Sequence, residues 1–228
     1  MMRRNIALIP AAGVGARFGA GKPKQYVEIN GKTVLQHTIE IFEQHPRIDL
    51  IAVIFSPEDS VFQTALSEKV HVFRVGGASR AETVRNGVST LLEQGLAEAQ
   101  DNILVHDAAR CCLPAEALTR LLDEAGENDE GGILAIPVAD TLKRADGSHH
   151  IDETVARSGL WQAQTPQLFQ TALLNRALSV DDLSEITDEA SAVEKLGIRP
   201  RLVQGDTRNL KLTLPQDEYI VRLLLKAV

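Results

Sequence analysis

Two periods of apolar residues alternate along the chain. Asn5–Pro10 (NIALIP) is a short apolar run closed by proline, the pattern of a buried strand. Thr33–Gln44 sets Val34, Leu35, Thr38, Ile39, Ile41 and Phe42 on one helical stripe. Asp49–Phe55 (DLIAVIF), stopped by Ser56-Pro57, reads as a strand covered on both faces. The same reading predicts strands over Val70–Val75, Asn102–His106 and Gly132–Val138, and helices over Arg80–Gln94 and from about Pro114 to Gly126. Strands separated by helices of this length make βαβ units with right-handed crossovers. The expected fold class is α/β, a Rossmann-like three-layer domain with a mainly parallel sheet.

The rhythm breaks between Asp140 and Phe169. Thr141–Arg144 and His150–Arg157 flank a polar tip at Asp146-Gly147 and read as a β-hairpin too polar for the core. It is expected to project as an arm, at about residues 139–160. Helices follow at Thr171–Ser179 and Asp188–Leu196, the second with Thr187 as its N-cap and Asp188 and Glu189 in its first turn. Strands at Arg201–Gln204 and Leu210–Thr213 precede a closing helix from Pro215, read as an N1 proline. No linker or repeat divides residues 1–228, so one domain with an arm is expected.

The chain has 228 residues and a formal net charge of −7. That balance argues against a general nucleic-acid or anionic-membrane binder, because phosphate surfaces select basic proteins. No stretch has the length of an apolar membrane span, and the N-terminus is too briefly apolar for a secretory signal. The adjacent cysteines Cys111 and Cys112 suit neither an ordinary disulfide framework nor a metal site. A soluble, cytoplasmic protein is expected.

Charge distribution sharpens the picture. Residues 1–27 carry Arg3, Arg4, Arg17, Lys22 and Lys24 and no acid, within an acidic chain. Three of these cations lie among Gly13, Gly15, Gly19 and Gly21, with Gly31 beyond, directly after the first strand. A dinucleotide fingerprint fails here: Phe18 stands where the third glycine should fall, and the second strand ends without a ribose-binding acid. A Walker loop fails too, with Ala16 at its first glycine position and Pro23 in place of the hydroxyl. An NAD-dependent oxidoreductase is therefore disfavoured. What remains is a turn whose backbone amides and cations suit a polyphosphate, or an ordinary βα turn.

Two further clusters follow strand ends. Gly76-Gly77-Ala-Ser-Arg80-Ala-Glu-Thr83 opens a helix and could meet a base or sugar; read alone, a capped glycine turn explains it better. His106-Asp107-Ala-Ala-Arg110 falls at the carboxyl edge of the fourth strand, where open α/β sheets place ligands. A carboxylate there suits Mg²⁺ shared with substrate phosphates, or simply caps the next turn. His106 reads as a structural hydrogen-bonding residue more than as a base.

The strings PAAGxGxRF…KPKQY, HDAAR, TVARSGLWQAQTPQ and TDEASA resemble, in order and over nearly the whole chain, the 2-C-methyl-D-erythritol 4-phosphate cytidylyltransferase family of nucleotidyltransferases. The resemblance implies transfer of CMP from CTP to 2-C-methyl-D-erythritol 4-phosphate in the non-mevalonate isoprenoid pathway, with Mg²⁺ as cofactor. It implies Arg17, Lys24, Arg157 and Lys211 as catalytic residues, and Ala11, Ala12, Gly13, Gly15, Gly77, Arg80, Thr83 and Asp107 as nucleotide contacts, with Asp107 linked to the metal. Arg110, Thr141, Arg157, Thr165, Thr187 and Lys211 are implied on the acceptor side, with the arm reaching across a homodimer. Ala78, Thr83 and Cys111 replace the Asp, Ser and Pro usual at those positions. A cytidylyltransferase for another polyol phosphate such as ribitol 5-phosphate, or a non-catalytic nucleotide-binding homologue, are the alternatives. A fused second pathway enzyme is not expected after the closing helix.

Overall fold

The computed structural model describes residues 3–13, 23–62 and 67–226. In chain order the elements are β1 (Asn5–Pro10), a 3-10 turn (Lys24–Tyr26), β2 (Glu28–Ile29), β3 (Lys32–Thr33), α1 (Val34–Gln44), β4 (Leu50–Ile54), β5 (Val70–Phe73), α2 (Arg80–Glu93) and β6 (Asn102–Val105). They continue with α3 (Ala115–Ala125), β7 (Gly132–Pro137), β8 (Leu142–Ala145), β9 (Ile151–Val155), β10 (Trp161–Gln170), α4 (Thr171–Leu178), α5 (Glu189–Glu194), β11 (Arg201–Gln204) and α6 (Asp217–Leu224).

Seven strands form one sheet in the order β11-β7-β10-β6-β1-β4-β5. β1, β4, β5 and β6 are mutually parallel, β11 is parallel to β7, and β10 runs antiparallel between β6 and β7. The two-residue side-chain period sends Ala7 and Ile9 of β1 into one apolar layer with Leu35 and Phe42 of α1 and Leu118 and Leu121 of α3. Ile6 and Leu8 enter the opposite layer with Val84 and Val88 of α2 and Leu174 of α4. The sheet is thus sandwiched between two helical layers, as expected. Strand order reverses between β1 and β6, since β4 and β5 build outward on one side and β10, β7 and β11 on the other. Such a switch point leaves a crevice outside the carboxyl ends of the strands.

Several expectations change. β10 was not expected as a strand; its buried half is rich in polar residues (Gln164, Thr165 and Gln167), and its pairing with β7 shifts register between Ala163 and Gln167. β2 and β3 pair through Asn30 and Gly31, both with positive φ, so Gly31 belongs to a hairpin turn and not to the phosphate loop. The N-cap of α5 is Asp188, not Thr187: its carboxylate accepts from Ser191 N at 2.9 Å in a capping box. Leu210–Thr213 is not a strand, although Leu212 N donates to Ala109 O at 2.9 Å. α6 starts at Asp217, two residues after Pro215, because the Asp217 carboxylate accepts from Thr213 N and Leu214 N, both at 2.8 Å. The arm does form: β8 and β9 pair only with each other, and nearly all their side chains are exposed.

Candidate active site

A cleft of about 610 Å³ opens at the switch point. Its walls come from the end of β1 (Pro10–Gly13), the 3-10 turn (Lys24 and Gln25), the segment after β4 (Ser56–Glu58), the turn into α2 (Gly76–Arg80, with Thr83), the end of β6 (Asp107–Ala109) and Lys211. Val14–Lys22 lie outside the described residues, so the placements of Gly15 and Arg17 are not described.

The glycine turn into α2 is dictated by crowding. A Cβ on Gly76 would overlap the Ala12 Cβ and lie 2.7 Å from Phe55 O, where the ends of β1, β4 and β5 converge. Gly76→Ala is therefore expected to destabilise the fold by roughly 1–3 kcal/mol through overpacking and to weaken binding of a ligand in the cleft together with stability. Chemical denaturation and calorimetry measure the two effects, and unchanged values in both would contradict the crowding. At the next position, Gly77 N donates to Thr83 Oγ1 at 3.1 Å, and that hydroxyl donates to Ser79 O at 2.9 Å. Thr83, only 2% exposed, thus holds the turn that presents Gly77 to the cleft. Ser79 caps α2 in a capping box with Glu82.

Lys24 is braced from both sides. Buried Gln25 donates through Nε2 to Ala11 O and Gly13 O, both at 3.0 Å, tying the turn to the end of β1. Tyr26 donates to Asp59 Oδ2 at 2.6 Å, tying it to the segment after β4. Neither anchor was expected from the sequence, where both read as part of the KPKQY string.

Asp107 is the electrostatic centre. Arg80 Nε donates to its Oδ1 at 2.9 Å, Lys211 Nζ lies 2.7 Å from its Oδ2, and Arg110 Nε lies 3.7 Å from the same oxygen. Burial works to raise this carboxyl, but the Arg80 and Lys211 charges outweigh it and hold Asp107 well below the usual carboxylate range. It stays ionised throughout the neutral range. Arg110 also donates to Asn209 O at 2.6 Å, and Asn209 Nδ2 donates to Thr165 O at 2.7 Å.

Behind Asp107 runs a directed chain. Asp107 N donates to Thr165 Oγ1 at 3.1 Å, Thr165 Oγ1 lies 3.1 Å from His106 Nδ1, and His106 Nε2 lies 2.9 Å from Arg110 O. A carbonyl only accepts, so Nε2 carries the proton and Nδ1 accepts from the threonine hydroxyl. Burial pushes His106 down to about 4 from 6.5, leaving it neutral. Between those pH values the unfolded chain binds a proton that the folded chain does not. Stability is therefore complete above about pH 6.5 and is lost as pH falls toward 4, by about 3 kcal/mol at 1.36 kcal/mol per unit. Denaturant midpoints across that range should show the slope and His106→Asn should flatten it; an equal slope in the variant would assign the effect elsewhere.

Lys24, Lys211, Ala11, Ala12, Gly13, Gly77, Arg80, Thr83 and Asp107 all line the cleft. Arg110 and Thr165 stand behind it, holding Asp107, while Thr141, Arg157 and Thr187 are exposed and do not line it. Glu189, read from the sequence as a helix-terminus acid, is instead buried. Its carboxylate binds Arg80 through Nη1 to Oε1 at 2.7 Å and Nη2 to Oε2 at 3.1 Å.

A mainly parallel sheet with a cleft at its switch point, bordered by a crowded glycine turn and by Asp107 among cations, defines an α/β domain with a ligand cleft at its strand ends. The model of the 2-C-methyl-D-erythritol 4-phosphate cytidylyltransferase (IspD) family matches residues 5–227. The chain is 70% identical to a protein of that name from Neisseria meningitidis serogroup C over 231 residues, all of both chains. It is 50% identical to one from Chromobacterium violaceum, with 97% of this chain and 98% of the other covered. A crystal structure of a 4-diphosphocytidyl-2C-methyl-D-erythritol synthase superposes with a TM-score of 0.89 at 64% identity, covering 99% and 100% of the two chains. The Francisella tularensis 2-C-methyl-D-erythritol 4-phosphate cytidylyltransferase superposes with a TM-score of 0.82 at 32% identity, covering 97% and 99%. The chain belongs to the 2-C-methyl-D-erythritol 4-phosphate cytidylyltransferase family.

Proposed function

We infer that the chain is a cytidylyltransferase, moving CMP from CTP to 2-C-methyl-D-erythritol 4-phosphate with release of pyrophosphate, in isoprenoid precursor biosynthesis. The observation that carries this at the site is Asp107, ionised among Arg80, Lys211 and Arg110 at the mouth of a cleft floored by the glycine turn. An oxygen of the acceptor phosphate attacks the α-phosphorus of CTP in line. The P–O bond to the β-phosphate breaks, and its electron pair leaves with pyrophosphate. Two anions must meet, so the protein's task is charge neutralisation and alignment. Lys24 and Arg17 serve the triphosphate, and Lys211 and Arg157 orient the acceptor phosphate. Ala11, Ala12, Gly13, Gly15, Gly77 and Thr83 form the nucleotide bed, while Arg110, Thr141, Thr165 and Thr187 belong to the acceptor side.

Among the described residues no cluster of three or more His, Cys, Asp or Glu could hold a metal by itself. An ionised carboxylate beside a triphosphate nevertheless fits Mg²⁺, which takes one or two carboxylates and completes its shell with phosphates and water. Asp107 is the residue that would hold it, and bound there the ion would neutralise phosphate charge.

Thr141 and Arg157 stand on or beside an arm that pairs only with itself, with Ile151, Leu160 and Trp161 exposed. These features support a homodimer in which each arm completes the partner's cleft. No helix among the described residues is long and apolar enough to cross a membrane. With soluble CTP and sugar phosphate as substrates, a cytoplasmic location follows as part of the proposal.

Pyrophosphate release with Mg²⁺, CTP and 2-C-methyl-D-erythritol 4-phosphate, beside a parallel reaction with ribitol 5-phosphate, tests the reading. Release with the erythritol acceptor is expected. Release with the pentitol alone would reassign the substrate, and CTP binding without any release would leave a binding module.

A further inference from the structure

The Arg80–Glu189 pair has no place in the neutralisation scheme above, and it is expensive to bury. Glu189 is 1% exposed and carries its charge into a low-dielectric interior, where an apolar pair would serve stability as well or better. Its position is also over-determined. Gln167 of β10 grips the start of α5 from both sides, donating to Asp188 Oδ2 at 2.9 Å and accepting from Ala190 N at 2.8 Å. Two residues earlier on the same strand, Thr165 accepts from Asp107 N. One strand therefore fixes Asp107 twice: its backbone through Thr165, and its carboxylate through α5, Glu189 and Arg80.

Guanidinium geometry shows what the second route does. Both terminal nitrogens of Arg80 are committed to Glu189, and Nε alone meets Asp107, at Oδ1. Asp107 Oδ1 thus has a rigid partner. Oδ2 faces Lys211, whose side chain is 39% exposed and can exchange for another cation, with Arg110 Nε farther off at 3.7 Å. Without the Glu189 charge, Arg80 would be free to turn its fork onto both oxygens of Asp107 or toward a phosphate, and the cluster would gain one net positive charge.

We propose that Glu189 is a positioning residue for the transfer reaction, holding Arg80 so that it orients Asp107 through one oxygen and leaves the other exchangeable. The proposal rests on the cytidylyltransferase reading, and Glu189 itself does not line the cleft.

The test compares Glu189→Gln, Glu189→Asp and the double variant Arg80→Gln/Glu189→Gln with the native enzyme. Glu189→Gln is expected to lower kcat and to raise the Mg²⁺ concentration for half-maximal turnover, each by roughly 10- to 100-fold, as losses behind a ligand usually do. Calorimetric binding of CTP in EDTA should stay within about threefold of native, because the cationic cleft is intact; a folding defect would weaken binding and turnover together. Glu189→Asp, which keeps the charge, should recover part of kcat. The double variant removes both buried charges, so it is expected to restore the melting temperature without restoring turnover. Native kcat and Mg²⁺ requirement in Glu189→Gln would overturn the proposal, as would full turnover in the double variant. Silence of the native enzyme with CTP and acceptor would instead refute the cytidylyltransferase reading.

Discussion

Asp107→Asn is expected to lower kcat/KM for CTP by about three orders of magnitude, equivalent to about 4 kcal/mol of transition-state stabilisation. The amide keeps the shape and removes the charge. Arg80, Lys211 and Arg110, all within 3.7 Å of the carboxylate, then lose their common counter-ion. Lys211 has no reason to stay, and a cation fixed at the cleft wall becomes a mobile one. Leaving buried partners unpaired also destabilises the fold, by roughly 3–5 kcal/mol where no second partner exists. Here Glu189 still binds Arg80, so the stability loss should fall below that range and below the activity loss. Denaturant unfolding and steady-state pyrophosphate release separate the two. Because Asp107 is held below the usual carboxylate range, any acid limb in the rate near pH 5 belongs to another group. Turnover within about tenfold of native would remove Asp107 from the reaction, given what a lost electrostatic donor ordinarily costs.

The parallel strands were legible because burial on both faces leaves near-continuous apolar runs: LIAVI and NILV have every residue buried. β10 escaped for the converse reason. Its buried half carries Gln164, Thr165 and Gln167, polar side chains satisfied by Asp206 O, the His106–Asp107 chain and the start of α5. A strand that scaffolds a site reads as a loop in hydrophobicity alone. Asn30-Gly31 was a usable hairpin signal that the apolar pattern alone passed over.

For the site, local strings located the cleft walls because their chemistry follows strand ends. They could not reveal pairings that arise only when distant segments meet. Glu189 looked like an acid stabilising its own helix terminus, and nothing near it in sequence announces Arg80, 109 positions away. Thr187 lost its cap role to Asp188 by one residue, a difference decided by which side chain reaches Ser191 N. Thr141 and Arg157 rest on the resemblance alone, since neither lines the cleft of this chain.

Lys24→Ala is expected to reduce kcat with CTP by about 10²- to 10³-fold, the loss that accompanies removal of one preorganised donor to developing negative charge. Position, more than charge, is what makes this lysine effective. Pro23 enters the 3-10 turn with φ −57°, Gln25 bonds two carbonyls at the end of β1, and Tyr26 is clamped to Asp59. The backbone that carries Lys24 is therefore fixed before substrate arrives, and little ordering remains to be done at the moment of transfer. Gln25 and Tyr26 keep their own partners in Lys24→Ala, so the turn itself should hold and the loss should fall chiefly on rate. Gln25→Ala inverts the pattern: it keeps the cation but frees the turn, and should cost stability as well as rate. If Lys24→Ala retained near-native kcat while Gln25→Ala did not, the turn would matter only for the shape of the cleft. The charge that meets the triphosphate would then have to come from elsewhere.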